Sequence, residues 1–375
     1  MKQEVAAGLL LATAAILAIF LANSNASLSW QSLLDMPLAL PLAHELGSPR
    51  LLIGQALMVI FFFTVGLELK REVTIGQLAR ADQRRLPFVA AAAGMVIPAL
   101  IYRGLTYHHA DLARGWAIPT ATDIAFVLGV MAMLGRSVPR DLRMFLLTLA
   151  VVDDMGAVLV IALGYTAHVD LGWLGAGAGV LAAMMAMNRA GLRQVAPYGI
   201  LAVALWLCVL QSGVHATIAG VLAAFTVPLA AGHRDSPLLR LEHRLAPWSG
   251  LVIVPLFALA HAGVELSGGF GAPTLAIGAG LWLGKPLGIF GAIWASEKLG
   301  FARRPAGTNW LQILGAAQLA GIGFTMSLFI GTLAFPGEPL RANAIRMGIL
   351  GGSALAAALG AGLLWLGGRR DSPPA

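Results

Sequence analysis

Apolar stretches follow one another along the whole chain, separated by short polar segments. A helix needs about 20 apolar residues to cross a bilayer. On that measure the pattern predicts twelve spans, near 5–22, 51–69, 87–104, 116–135, 142–165, 171–188, 196–210, 213–230, 249–264, 274–296, 309–333 and 342–367. The fold class expected is therefore an all-α polytopic membrane protein, a single transporter-like domain over 1–375 with no soluble domain. Residues 28–49 form the longest connection; Pro37 and Pro41 make it a loop or a short edge hairpin. Residues 371–375 read as a frayed tail. The first span resembles a secretory signal, with Lys2 before an apolar core and Ser24-Asn25-Ala26 after it. Its removal would leave an odd span count, so it is read as a span.

Composition agrees. Hydrophobic residues are 58% of the chain and charged residues 11%, against about 25% charged in soluble domains. Mean hydropathy is +0.80. The net charge of +7 invites a nucleic-acid reading, but its distribution excludes that. Alternate loops hold Lys70, Arg71, Arg80, Arg84 and Arg85, then Arg136, Arg140 and Arg143, then Arg189 and Arg193, Arg234, Arg240 and Arg244, and Lys298, Arg303 and Arg304. The intervening loops hold only Arg50, Arg103, Arg114, Arg341 and Arg346. By the positive-inside rule both termini are cytoplasmic and the charge reports topology. The single Cys208 excludes an internal disulfide.

Polar groups interrupt this background at four places. Asp153 and Asp154 lie near the middle of a run from Met144 to Tyr165 that has no other charge. Carboxylates at that depth are costly and mark function. Adjacent acids also raise each other's pKa, so the pair suits a proton or a metal cation. Lys285, followed by Pro286, sits mid-span and needs a carboxylate partner. A bracing salt bridge between helices is its alternative role. Pro119, Thr120, Thr122 and Asp123 make a poor continuous helix in the fourth span. Gly321 and Gly323, with Thr325, mark a second break in the eleventh. Unwound backbone within a membrane is tolerated only where it is buried in protein or lines a cavity.

The two breaks fall in the middle members of two triplets, spans 3–5 and 10–12. An offset of seven spans gives the triplets opposite orientation, an inverted repeat. Interrupted helices at matching positions point to a transport site. Their facing ends carry partial charges, positive at amino ends and negative at carboxyl ends. Asp123 can neutralise the former and Lys285 the latter. Further charges cluster near the ends of spans: Glu68, Lys70, Arg71 and Glu72, and, in the loop before the ninth span, Glu242 and His243. Solvated interfacial charge is their ordinary reading. His215, at a span start, reads as a hydrogen-bonded structural residue.

With these residues in place the chain resembles the NhaA family of bacterial sodium/proton antiporters over almost its whole length. The matching runs are FFFTVGLELKRE at 61–72, AIPTATDIAF at 117–126, LAVVDDMGA at 149–157, SGVHATIAG at 212–220, GKPLGI at 284–289 and GIGFTMSLFI at 321–330. This family is itself among the examples behind the inverted-repeat rule, so the rule adds no independent weight. The resemblance implies export of Na+ or Li+ in exchange for H+, electrogenic and pH-regulated, in the bacterial inner membrane and with no cofactor. It implies Asp154 as principal cation ligand, with Asp153 as its partner and the companion of Lys285. Thr122 and Asp123 would lie at the broken-helix crossing, with Thr122 beside the transported Na+. Glu68, Lys70, Arg71, Glu72, Glu242 and His243 would belong to a cytoplasmic pH-responsive region. Some members carry a second histidine three positions after His243, where this chain has Ala246. A homodimer contact through an external hairpin would map to about 37–49.

Hard carboxylate oxygens suit small hard cations and bind protons at the same place. Neighbouring helix residues project about 100° apart, so Asp153 can face Lys285 while Asp154 faces the aqueous funnel. An intramembrane aspartyl protease using Asp123 with Asp153 or Asp154 is the rival from another class. The chain lacks the glycine-glycine-aspartate run of such enzymes, and Lys285 would oppose a shared-proton dyad. A sodium-coupled solute symporter would need a mid-span aromatic or arginine cluster, which is missing from the sequence.

Overall fold

Helices make up the regular structure in the computed structural model, which describes residues 2–38, 46–165, 169–229, 236–266 and 270–370; no strand occurs among these residues. The reason is the solvent. Backbone groups in lipid have no water to bond, and a helix satisfies them within one segment. Eight helices are long and apolar enough to cross a membrane, from Gln3–Ala22 to Arg341–Arg369. Two further pairs qualify as bent spans: Ala110–Thr120 with Ile124–Leu134, bent by 41°, and Trp310–Leu319 with Phe324–Ala334, bent by 42°. Two shorter apolar helices, Val195–Gln211 and Thr217–Thr226, complete the series. The chain is thus a multi-pass helical membrane protein with eight to ten spans by length and apolarity, and both expected breaks are present.

Three boundaries differ from the hydropathy reading. The segment from 28 opens with a helix, Ser27–Leu34. Residues 39–45, which include most of the hairpin expected there, lie outside the described residues, as does the tail 371–375. The loop expected to hold Glu242 and His243 is a helix, Pro237–Trp248, started by the Ser236 side chain and Pro237. Arginine and glutamate lower its hydropathy without lowering its helix propensity. The first arm of the fourth-span break, Ala110–Thr120, is a 3-10 helix throughout. Pro119 near its end cannot donate a backbone hydrogen bond.

The chain divides into two compact units. The first comprises Met1–Asn23, Arg80–Ala157 and Ala262–Ala375, and the second Ser24–Ala79 and Val158–His261. Both broken helices belong to the first. There the span Ala272–Lys298 packs against Ala81–Leu105 and reaches the broken helices through a π-helical turn, Gly280–Gly284. A Cβ on Gly280 would stand 2.6 Å from the Pro119 Cβ, and one on Gly284 would stand 2.7 Å from the Pro98 Cα. Neither distance is tolerable, so glycine sets how closely these backbones approach. In the second unit Met58–Thr74 packs on Thr217–Thr226. Leu67, Ala224, Val227 and Leu238 form one buried cluster near the charged end of that helix.

Candidate functional site

The two breaks meet and complete each other's backbone. A helix leaves its first four N–H groups and last four carbonyls without intrahelical partners. Asp123 serves two amino ends at once. Its Oδ1 accepts from the Phe126 N–H at 3.0 Å, and its Oδ2 accepts from the Thr325 N–H at 3.0 Å and the Thr325 hydroxyl at 2.5 Å. It therefore caps both Ile124–Leu134 and Phe324–Ala334. The Asp123 N–H in turn donates to the Ile322 carbonyl at 2.6 Å. A charged acceptor at two positive helix ends is favourable, and it explains a carboxylate that is only 2% exposed.

The carboxyl ends are served by hydroxyls, exchanged between the two helices. Thr122 donates to the Ala320 carbonyl at 2.8 Å, and Ser327 donates to the Ile118 carbonyl at 2.7 Å. The sequence reading gave these ends to Lys285. The structure places Thr122 between them: the Lys285 ammonium donates to the Thr122 hydroxyl at 3.0 Å, and that hydroxyl passes a bond on to Ala320. Lysine is thus tied to the break through threonine, with no direct bond to the carbonyls.

Lys285 also meets its carboxylate. Its Nζ lies 2.5 Å from Asp153 Oδ2, with both side chains at 0% exposure. The other oxygen, Asp153 Oδ1, is buried with no hydrogen-bond partner. A buried carboxylate oxygen left so is costly and is open to a proton or a cation. Asp154 follows on the same helix, Arg140–Gly164, and is 1% exposed. Asp154 is thus buried like Asp153, where the sequence reading had it facing an aqueous funnel. Asp153, Asp154, Lys285, Thr122, Asp123, Gly321 and Gly323 all lie in the first unit. Thr325 and Ser327 were missed as site residues; two hydroxyls immediately after a glycine break were the available signal.

The second group of expected residues gathers around one guanidinium in the second unit. Arg71 reaches Glu72 at 2.7 Å, Glu242 at 2.9 Å and Glu68 at 4.0 Å. Lys70 turns elsewhere and donates to the carbonyls of Phe225 and Val227, at 2.7 and 2.6 Å. It caps the carboxyl end of Thr217–Thr226, where a cation suits the dipole. His243 is not brought into the cluster: its exposed ring bonds the Leu239 carbonyl one turn back, at 2.7 Å. His215 is held by the Thr217 hydroxyl at 2.8 Å.

Comparison with known proteins places this chain in a family. The profile of the Na+/H+ antiporter 1 family matches residues 1–364. The Na(+)/H(+) antiporter NhaA 2 of Novosphingobium aromaticivorans is 54% identical over 371 residues, covering 98% of this chain and 95% of that protein. Similar proteins from Erythrobacter litoralis (NhaA 1) and Pseudomonas fluorescens Pf0-1 (NhaA) are each 50% identical; they cover 97% and 96% of this chain and 91% and 93% of their own.

Proposed function

The chain belongs to the NhaA family of Na+/H+ antiporters, and on that premise we propose how its buried charges exchange the two ions. The observation that carries the proposal is the Asp153–Lys285 pair, wholly buried beside Asp154 where two broken helices meet. Asp154 binds Na+ or Li+ when ionised and a proton otherwise, with the free oxygen of Asp153 and the Thr122 hydroxyl able to complete the shell. One site that holds either ion but not both is an antiporter by competition. The intramembrane charges are ion-handling groups on this reading, with no chemical step to catalyse.

Cation binding draws Asp153 away from Lys285. An ammonium that loses its carboxylate in a buried site gives up its proton more readily. Asp154 and Lys285 then release two protons for one Na+, and each cycle moves one net charge. A membrane potential acts on that charge with about 2.3 kcal/mol per 100 mV. Because protons compete for Asp154, activity rises with pH. The Arg71 cluster, with Glu68, Glu72 and Glu242, is the group proposed to tune that response.

The architecture belongs to the same proposal. Eight long helices and two bent pairs, with two shorter apolar helices where hydropathy expects the seventh and eighth spans, support a reading of twelve spans. That count supports the inverted triplets and cytoplasmic termini in the bacterial inner membrane. A homodimer through residues 37–49 is the family's expectation; residues 39–45 of that stretch lie outside the described residues. The decisive experiment is cation-dependent proton flux in proteoliposomes. Asp154→Asn should abolish Na+-driven flux while the protein still folds; near-normal flux would remove the proposal.

A further inference from the structure

Away from the buried charges, the segment after Lys298 builds a basic crevice at the end of a span. The helix Lys285–Lys298 stops at Leu299, Gly300 turns back with φ 68°, and the next helix starts at Trp310 under an Asn309–Gln312 capping box. Between them lies a cavity of about 980 Å³, lined by Glu297, Arg303, Arg304, Thr308, Asn309 and Trp310 among others. Its walls are held in place. The N–H groups of Phe301 and Ala302 both donate to the Ser296 carbonyl, and the Thr308 hydroxyl donates to the Pro305 carbonyl.

Charged and apolar groups adjoin one another at this end of the span. Arg304 stacks over the Trp310 ring at 4.8 Å and stands 3.7 Å from Glu297, while Arg303 is exposed. Arg85 adds a third guanidinium 5.7 Å over the Phe301 ring. Glu297 is the single acid in the lining, so the crevice is net positive. At its edge Leu299 is 82% and Phe301 48% exposed, and the half-buried Trp310 lies edge-on to Phe290. Aromatic rings of this kind sit at headgroup level. Basic pockets at span ends take phosphate-bearing headgroups, and guanidinium matches phosphate in two-point geometry.

We propose that this crevice holds the headgroup of an anionic glycerophospholipid, its phosphate between Arg303 and Arg304 and its acyl chains along Leu299 and Phe301. The inference rests on the reading of Ala272–Lys298 as a membrane span, and it does not depend on the ion-exchange cycle. The test is native mass spectrometry of the full chain, released from nanodiscs of phosphatidylglycerol and phosphatidylcholine. The unmodified chain should retain one phosphatidylglycerol in preference to phosphatidylcholine. Affinity should fall about fivefold for each arginine removed, in Arg303→Gln and further in Arg303→Gln/Arg304→Gln. Arg240→Gln/Arg244→Gln, which loses the same charge elsewhere, should leave retention unchanged. Arg303 is exposed, so its single variant keeps the test valid if Arg304→Gln misfolds. Equal loss in the Arg240/Arg244 control, or retention unaffected by Arg303→Gln, would overturn the site. Displacement of the lipid by inorganic phosphate, with no preference over phosphatidylcholine, would reassign it to a free anion and overturn the lipid proposal. Na+-driven flux measured on the same variants separates this outcome from any failure of the antiport cycle.

Discussion

The two charged clusters of this chain are built on opposite terms. Lys285 and Asp153 are at 0% side-chain exposure, one cation against one paired acid, with Asp154 beside them. Arg71 keeps 30% of its side chain exposed and faces three glutamates. In the buried cluster each charge has few partners and almost no solvent exposure, so a change of protonation must be answered by a neighbour. In the partly solvated cluster water and several carboxylates share the work, so losing one contact leaves others. Ion exchange needs the first kind of site and graded adjustment suits the second.

That contrast orders the expected effects of mutation. The largest belongs to Asp154→Asn, which keeps the shape and removes the titrating charge: Na+-driven proton flux should vanish. Next comes Lys285→Gln. Removing one partner of a buried pair destabilises by about 3–5 kcal/mol, so thermal unfolding should shift strongly. Residual exchange should also lose its dependence on membrane potential. If electrogenic exchange persists, the lysine is a brace and the second proton travels on Asp153. The double variant Asp153→Asn/Lys285→Gln should recover part of the lost stability, because no uncompensated charge remains.

A smaller effect is expected from Thr325→Val, which removes one donor to Asp123. A hydrogen bond to a charged group contributes about 1.5–3 kcal/mol, so stability should drop by roughly that amount with flux reduced and the pH profile unmoved. Arg71→Gln sharpens the comparison from the other side. Partly exposed ion pairs contribute about 0–1 kcal/mol, so stability should hardly change while the pH midpoint of flux moves. A stability loss as large as that of Lys285→Gln would mean the two clusters are not of different kinds. His243→Ala should have the least effect, since the ring bonds only its own helix. A midpoint shift equal to that of Arg71→Gln would restore the histidine to the pH-responsive group.

Much of this was legible in the chain because membranes make it so. A charge in an apolar run has few innocent explanations, and Asp153, Asp154 and Lys285 stood out on that ground alone. Pro119 and the Gly321–Gly323 pair announced the breaks because helices tolerate those residues poorly. What could not be read was pairing across the breaks. Nothing in the order of residues says that Asp123 caps two helices, or that Ser327 bonds a carbonyl 209 positions away. Hydroxyls are common in apolar helices, where they usually bond one turn back on the same helix, so Thr325 helped to mark the break without disclosing its partner, and Ser327 went unremarked. The helix Pro237–Trp248 was missed for another reason: its charged residues lower its hydropathy, and a strongly amphipathic helix of that kind does not stand out on that measure.

The π-helical turn Gly280–Gly284 has a consequence for the register of Lys285. A π turn accommodates one residue more than an α turn, and such insertions recur at functional sites. One residue corresponds to about 100° of rotation around a helix axis. Were Gly280–Gly284 to relax to ordinary α geometry with the upstream helix held, the downstream helix would turn by that angle and carry Lys285 away from both Thr122 and Asp153. The lysine's aim is therefore a property of phase, set by a local winding number upstream of it. A single-residue deletion in that turn would let it close to α geometry with the lysine's aim kept, whereas a deletion in the α-helical segment just upstream would turn the charge away.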